Sequence, residues 1–371
     1  MDPAMLIQKI QLDKAVNICS GRPGNIYFLT EEKQFQLAIQ LADQNESLVD
    51  AVNLVEIKRR MALELFNHKK FAECFNIHLQ IKTVQSMSVQ SLDAVKPLLE
   101  LHVKASGIDN HRIGACLFCQ EYWMELFVLY KAGAVHVEVK TVNTNSEAFK
   151  KMFLGAQPPL MEEKEKDAIY SDNEEIEGRI FHLSQEFNVP LFEKDAVVEK
   201  SIENLYRNFK FFMKKKADHD KGKPHPSLIA SLPEPIALLH KKFVEHLAKI
   251  NQLMCERKSR YLVGEVITQY DCELMPRLHH MRIAGERLLG FEISHELIYL
   301  WNYIWTAYKT DSFNESCPCD QDIIYHYKEQ LNVVTNLRET LQTPTKTQTI
   351  PQDIIDEIDR LGLQESHVEQ L

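Results

Sequence analysis

The sequence predicts a helical extension over residues 1–96, a mixed α+β domain over 97–188, an all-helical domain over 189–335 and a polar tail over 336–371. Three observations carry that division. Apolar residues recur at helical spacing up to Lys96, with neither Gly nor Pro between Asn25 and Lys96. From Pro97 the period switches to two, and from about Pro190 it returns to that of a helix. Gly is scarce throughout, 12 residues in 371 against a usual ~7 %, which favours helix.

In the extension, Phe35, Ala38, Ile39 and Ala42 share one face, as do Leu54, Ile57, Met61 and Leu65, then Phe71, Phe75 and Leu79. Short helices joined by polar turns predict a small antiparallel array. After Pro97, Leu99, Leu101 and Val103 alternate with Glu100, His102 and Lys104, the pattern of a half-buried strand. A loop over 107–114 leads to a helix from Leu117 to Tyr130. Val135, Val137 and Val139 then alternate with His136, Glu138 and Lys140 as a second strand. Gly155 and Pro158–Pro159 break the chain before Leu160–Met161, and Ala168–Ile169–Tyr170 forms a further short strand. This order of strand, helix, strand, proline turn, strand pair and helix is that of a thioredoxin-like domain. The helical domain is interrupted over 214–235, a stretch with four prolines. The tail opens as a Thr/Gln segment and is expected to be mobile.

Composition excludes several classes. A net charge of −10 argues against nucleic-acid binding, and neither G-x-G-x-x-G nor a Walker lysine loop occurs. Charges within the first 25 residues leave no apolar core for a secretory signal. No run reaches the ~18 apolar residues of a spanning helix. The eight Cys are scattered and read as reduced thiols.

Cys116-Leu117-Phe118-Cys119 falls where a helix begins. Free N–H groups and the helix dipole favour a thiolate there, so the first Cys attacks and the second, one turn on, resolves the mixed disulfide. Zinc is disfavoured because no second C-x-x-C or His pair lies at finger spacing, and no metal is expected. Buried, unreactive thiols are the plainer alternative. His279–His280 point about 100° apart on a helix, and Cys317 and Cys319 have one residue between them. Both pairs read as structural, as do Met254, Trp301, Trp305 and Tyr308. Thr268-Gln269-Tyr270-Asp271 reads as a capping box with Ile267 as its staple.

The stretches LLELHVKASG, IGACLFCQ, NTNSEAFK, GAQPP, YSDNEEIE, SRYLVGEVITQYDCELMPRLHH and FNESCPCDQD occur in order from Pro97 to about Gln330. Through them the chain resembles the chloride intracellular channel family, of invertebrate type, whose fold is that of omega-type glutathione transferases. The resemblance implies a thioredoxin-like domain followed by an all-helical transferase domain. It puts Cys116 at the glutathione-accepting position, with Leu117 and Cys119 departing from the family's usual Pro and Ser. It makes Pro159 the cis-proline and Asp172 and Asn173 the γ-glutamyl-binding pair. Pro158 stands where the family offers a backbone N–H to glutathione, and it has none. Glutathione binding is therefore expected to be weak. Asp172 also fits a solvated acidic face. Residues 20–83 resemble, more distantly, the start of the helical solenoid in HOPS-type vacuolar-sorting tethering subunits.

What the resemblance implies is a cytoplasmic and membrane-associated protein that meets membrane lipids and conducts chloride. The segment it points to, CLFCQEYWMELFVLYKAGAVHVEV, carries Glu121, Glu125, Lys131 and Glu138, each costing roughly 2.5–3.5 kcal/mol at a bilayer midplane. Acidification is expected to promote association by neutralising the carboxylates. The alternative is an enzyme of glutaredoxin type, with Cys116 attacking, Cys119 resolving, Pro159 shaping the site and Asp172 anchoring glutathione. A third reading is a non-catalytic trafficking protein that binds partners through residues 1–96. The family's nuclear-import tetrapeptide has no match, and KKKADHDKGKPHP replaces its acidic loop.

Overall fold

The computed structural model describes residues 96–331, except 154–155 and 224, and residues 343–363. The helical extension, its partner-binding role and its solenoid resemblance lie outside the described residues.

A four-stranded sheet forms from β1 (Leu98–Lys104), β2 (His136–Val142), β3 (Leu160–Glu163) and β4 (Ala168–Tyr170), in the order β2-β1-β3-β4. β2 pairs parallel to β1 with Leu101 opposite Val139, which requires the crossover helix α1 (Leu117–Lys131) between them. β3 pairs antiparallel to β1, and β4 antiparallel to β3. A short helix the sequence pattern did not announce, α2 (Glu147–Met152), is capped by Ser146, whose hydroxyl accepts the Phe149 N–H at 3.2 Å. α3 (Asn173–Glu186) closes the domain.

The alternation in β1 does not mark a half-buried strand. Leu99, Leu101 and Val103 enter the main core, but Glu100 and His102 on the other face are buried too, at 4 % exposure each. β1 is flanked by strands on both sides, and Phe153 stacks edge-on to His102 at 4.9 Å. The polar face is covered because the charges satisfy one another. His102 Nε2 lies 3.1 Å from Glu100 and 2.9 Å from Glu162, and Lys140 and Lys164 close on their outer oxygens.

Helices follow over Ala196–Ile202 (α4), Leu205–Asp220 (α5), Glu234–Arg257 (α6), Gln269–Ala284 (α7), Ile298–Lys309 (α8), Asp311–Ser316 (α9) and Asp320–Leu331 (α10). α7 is buried on nearly all sides and packs against α1 of the sheet domain. Its capping box forms: Asp271 accepts the Thr268 N–H at 2.8 Å and the Thr268 hydroxyl at 2.9 Å. Ile267 is half-buried against the core.

The tail, expected to be mobile, is docked on the helical domain over its described part. Residues 343–350 are strapped to the start of α10: Asp320 N–H donates to Thr345 O at 2.9 Å, and its carboxylate accepts the Thr347 N–H at 3.0 Å. Helix α11 (Gln352–Arg360) then docks on α8. Ile350, Ile354 and Ile358, four apart, are all buried, an apolar stripe that outweighs the polar composition around it.

Candidate functional site

Strand register gathers the predicted site residues. His102 faces Leu160 across β1–β3 and Met161 faces Tyr170 across β3–β4. The chain leaving β1, the Pro158–Pro159 turn before β3 and the Asp172–Asn173 start of α3 therefore lie at one end of the sheet. Pro158–Pro159 is cis. The loop back from β1 is held tight: the Gly114 N–H donates to Lys104 O at 2.8 Å, and a Cβ on Gly114 would meet Ala105 O at 2.6 Å. Glycine is required there by close approach, a signal readable only with the loop path in hand.

Cys116 is the residue before the first turn of α1, half-buried and extended. No helix N–H closes a full cap bond on its sulfur. Its thiol is nonetheless lowered to about 7, first by the Cys119 thiol donating to it, then by the Cys119 and Phe118 N–H groups and the Lys104 ammonium, against the effect of burial. Cys119 is buried; its sulfur accepts the Lys104 N–H at 3.4 Å, and burial pushes it well up. Burial likewise raises Cys272, Cys319 and Cys317, the last to about 12. The pair is thus asymmetric, with the half-exposed sulfur the more acidic.

Asp172 caps α3, accepting the Glu174 N–H at 2.7 Å, and the Tyr122 hydroxyl of α1 donates to Asn173 O at 3.1 Å. The helical domain supplies a wall the sequence did not reveal. Burial raises the Tyr206 hydroxyl of α5, with the Cys116 charge a smaller contribution in the same direction, and that hydroxyl lies 3.0 Å from that of Tyr327. Arg112, in the loop before Cys116, reaches Asp322 of α10 at 3.5 Å, and Ser106 bonds the same carboxylate.

Behind Cys116, the face of α1 turned to α7 is polar. Glu121 meets Arg277 at 3.3 Å, while Gln120, Glu125 and His280 keep buried polar atoms without hydrogen-bond partners among the described residues. Burial raises Glu121 to about 7 despite Arg277, and raises Glu125 well above the usual carboxylate range. His279 and His280 meet the Tyr308 and Tyr327 hydroxyls at 3.0 and 3.2 Å. Among the described residues, the one group that gathers metal-type ligands is Glu100, His102 and Glu162. There Lys140 and Lys164 already supply the positive charge a cation would bring. No helix among the described residues is long and apolar enough to cross a membrane.

The family described as "CLIC-like N-terminal domain" matches residues 97–181. The chain is 65 % identical over 268 residues to "Chloride intracellular channel exc-4" of Caenorhabditis elegans, across 72 % of this chain and 92 % of that one. It is 40 % identical over 264 residues to "Chloride intracellular channel Clic" of Drosophila melanogaster, across 70 % and 92 %. The crystal structure of the CLIC homologue EXC-4 from C. elegans superposes with a TM-score of 0.72 at 61 % identity, covering 75 % of this chain and 99 % of that one. The fold is therefore that of the EXC-4 structure, here a thioredoxin-like sheet domain followed by an all-helical domain. Identity of that order across 92 % of a relative's length makes the chain a member of the chloride intracellular channel family.

Proposed function

We propose that this protein is cytoplasmic and passes onto membranes by releasing α1 and β2 from the folded form, giving a path for chloride. The observation that supports this is the α1–α7 interface. Of the carboxylates that make α1 costly to bury in lipid, Glu121 is already held by the fold near 7, and Glu125 is raised by burial well above the usual carboxylate range. Entry as neutral acids then needs little further protonation at neutral pH. Association should fall about tenfold per pH unit above 7 and level off below it, rather than rising only at the acidic pH an ordinary Glu demands. Vesicle flotation of the full chain, scanned in pH beside chloride efflux, tests this. Glu121→Gln with Glu125→Gln should remove the pH dependence. A half-rise near an ordinary carboxylate's value, or binding without chloride efflux at any pH, would sink the proposal.

The Cys116–Cys119 pair supports a second reading, thiol–disulfide exchange at the same sheet end. In it, the Cys116 thiolate attacks one sulfur of a glutathione mixed disulfide and releases the other as a thiolate. Cys119 then displaces glutathione as a thiol, leaving a Cys116–Cys119 disulfide. Limiting iodoacetamide should label Cys116 first, read by peptide mass spectrometry; equal labelling of Cys255 or Cys319 would defeat the reading. Cys119→Ala should raise the Cys116 pKa, since its thiol is the largest lowering influence.

Glutathione would sit between Cys116, the Pro158–Pro159 turn and the Asp172–Asn173 helix start. Pro158 withholds one backbone donor, a loss of about 0.5–1.5 kcal/mol. Pro158→Val restores it and should tighten glutathione binding by up to about tenfold in calorimetry. No gain in affinity would show that the missing N–H is not what limits binding.

A further inference from the structure

We propose that the exposed face of α5 is a docking surface for bilayers containing anionic phospholipid, with headgroup phosphates among Arg207, Lys210, Lys214 and Lys215 and the Phe211 ring at the lipid boundary. The inference rests on the membrane-association reading and adds to it the first contact, made by a different domain from the one that holds α1.

Positions 207, 210, 211 and 214 share one side of a helix by their three- and four-residue spacing, and Lys215 lies one turn beyond Phe211. All five side chains are exposed, Phe211 at 49 %. An aromatic ring that open to water, ringed by cations, matches the layering of a bilayer surface. The Arg207 guanidinium lies 5.6 Å from the Phe211 ring centre, and the Lys210 ammonium 5.7 Å from that of Tyr206. Beside the stripe a cleft of about 500 Å³ opens between α5 and α10, with Tyr206, Phe211, Met213 and Leu331 as its apolar lining.

Beyond the two ring contacts, the cations have no carboxylate partner among the described residues. None of the four forms an ion pair with any described residue, although Glu203 and Asp218 lie a turn beyond either end of the stripe. Lys216 on the same helix shows the contrast: it is buried and paired with Asp220 at 2.6 Å. The chain as a whole carries −10 and is repelled by an anionic surface. Attraction must therefore be local, and a screening length of about 10 Å at 0.1 M salt lets one basic face act while the rest is screened. A phospholipid satisfies both halves of the surface, since its phosphate neutralises the cations and its acyl region receives Phe211.

The test is sedimentation of the full chain with vesicles of phosphatidylcholine alone, or of phosphatidylcholine with about one third phosphatidylserine, at neutral pH. Binding to the anionic vesicles alone is expected, falling steeply as salt rises from about 0.1 to 0.5 M. Each cation near such a surface contributes about fivefold, so Arg207→Gln, Lys210→Gln and Lys214→Gln together should weaken partitioning on the order of a hundredfold. Lys221→Gln with Lys223→Gln, off the stripe, should leave it nearly unchanged. Unchanged circular dichroism and thermal midpoint would show that these exposed substitutions spare the fold. Equal binding to both vesicle types, insensitivity to salt, or an unaffected triple variant would overturn the docking surface and leave the membrane-association reading standing. Capture of a water-soluble short-chain phosphatidylserine without vesicle binding would overturn it too, assigning the cleft to a free anion. Failure to bind any vesicle at any pH would instead overturn the underlying reading.

Discussion

Asp271→Ala should lower the stability of the folded chain by roughly 3–5 kcal/mol, the largest loss expected from any single polar substitution in this fold. One buried carboxylate receives four donors: the Leu262 N–H at 3.0 Å, the Thr268 N–H at 2.8 Å, the Thr268 hydroxyl at 2.9 Å and the Tyr303 hydroxyl at 2.8 Å. Truncation leaves all four without an acceptor in a site water does not reach. The cap joins the loop before α7, α7 itself and α8, so its loss reaches the Arg277–Glu121 contact that α7 presents to α1. Asp271→Asn retains one acceptor oxygen and should cost about half as much. At roughly 2–4 °C per kcal/mol for a fold of this size, the alanine variant should melt about 6–20 °C lower. A thermal or urea midpoint indicating a loss under about 1 kcal/mol would mean that water enters and replaces the carboxylate.

That box was legible in the sequence because capping is local: a Thr, an Asp three residues on and an apolar run are enough. The C-x-x-C at a helix start was legible for the same reason, and so were the strands, from their alternation. What escaped sequence reading depends on partners distant in the chain. Glu100 and His102 alternate as a solvent-facing row should, yet β3 brings Glu162 and the turn after it brings Lys164 to neutralise them. The tail looked polar because its three buried isoleucines are diluted among Thr, Gln, Asp and Glu, and only their four-residue spacing marks a docking stripe. Glu121 and Glu125 looked like charges to be removed by acid. Their environment on α7 has already moved them towards the neutral form.

Acidification should therefore change stability through two opposed sets of groups, and substitutions should separate them. His279 is buried beside the Tyr308 hydroxyl, and burial lowers it from 6.5 to about 3. The unfolded chain takes up that proton first, so stability is lost as pH falls from about 6.5. At about pH 5.5 this one residue costs roughly 1–1.5 kcal/mol. His280, well below its ordinary value, and His326, lowered to about 4, act in the same direction. Glu121 has the opposite sign. Its folded value of about 7 lies above the ordinary 4.5, so the folded state holds the extra proton between those limits and acidification across them stabilises by up to about 3 kcal/mol. Glu125 adds to it. Wild-type urea stability should then fall less between about pH 7 and 5.5 than the histidines alone would make it, because the carboxylates act with the opposite sign. Glu121→Gln with Glu125→Gln removes the counterweight and should make the chain lose about 2 kcal/mol or more over that interval. His279→Asn keeps a donor for Tyr308 without titrating, and should lose roughly 1 kcal/mol less than wild type on the same acidification. If the double glutamine variant instead parallels wild type across the interval, the α1 carboxylates do not hold their protons in the folded state. The neutral entry of α1 into lipid would lose its physical basis with them.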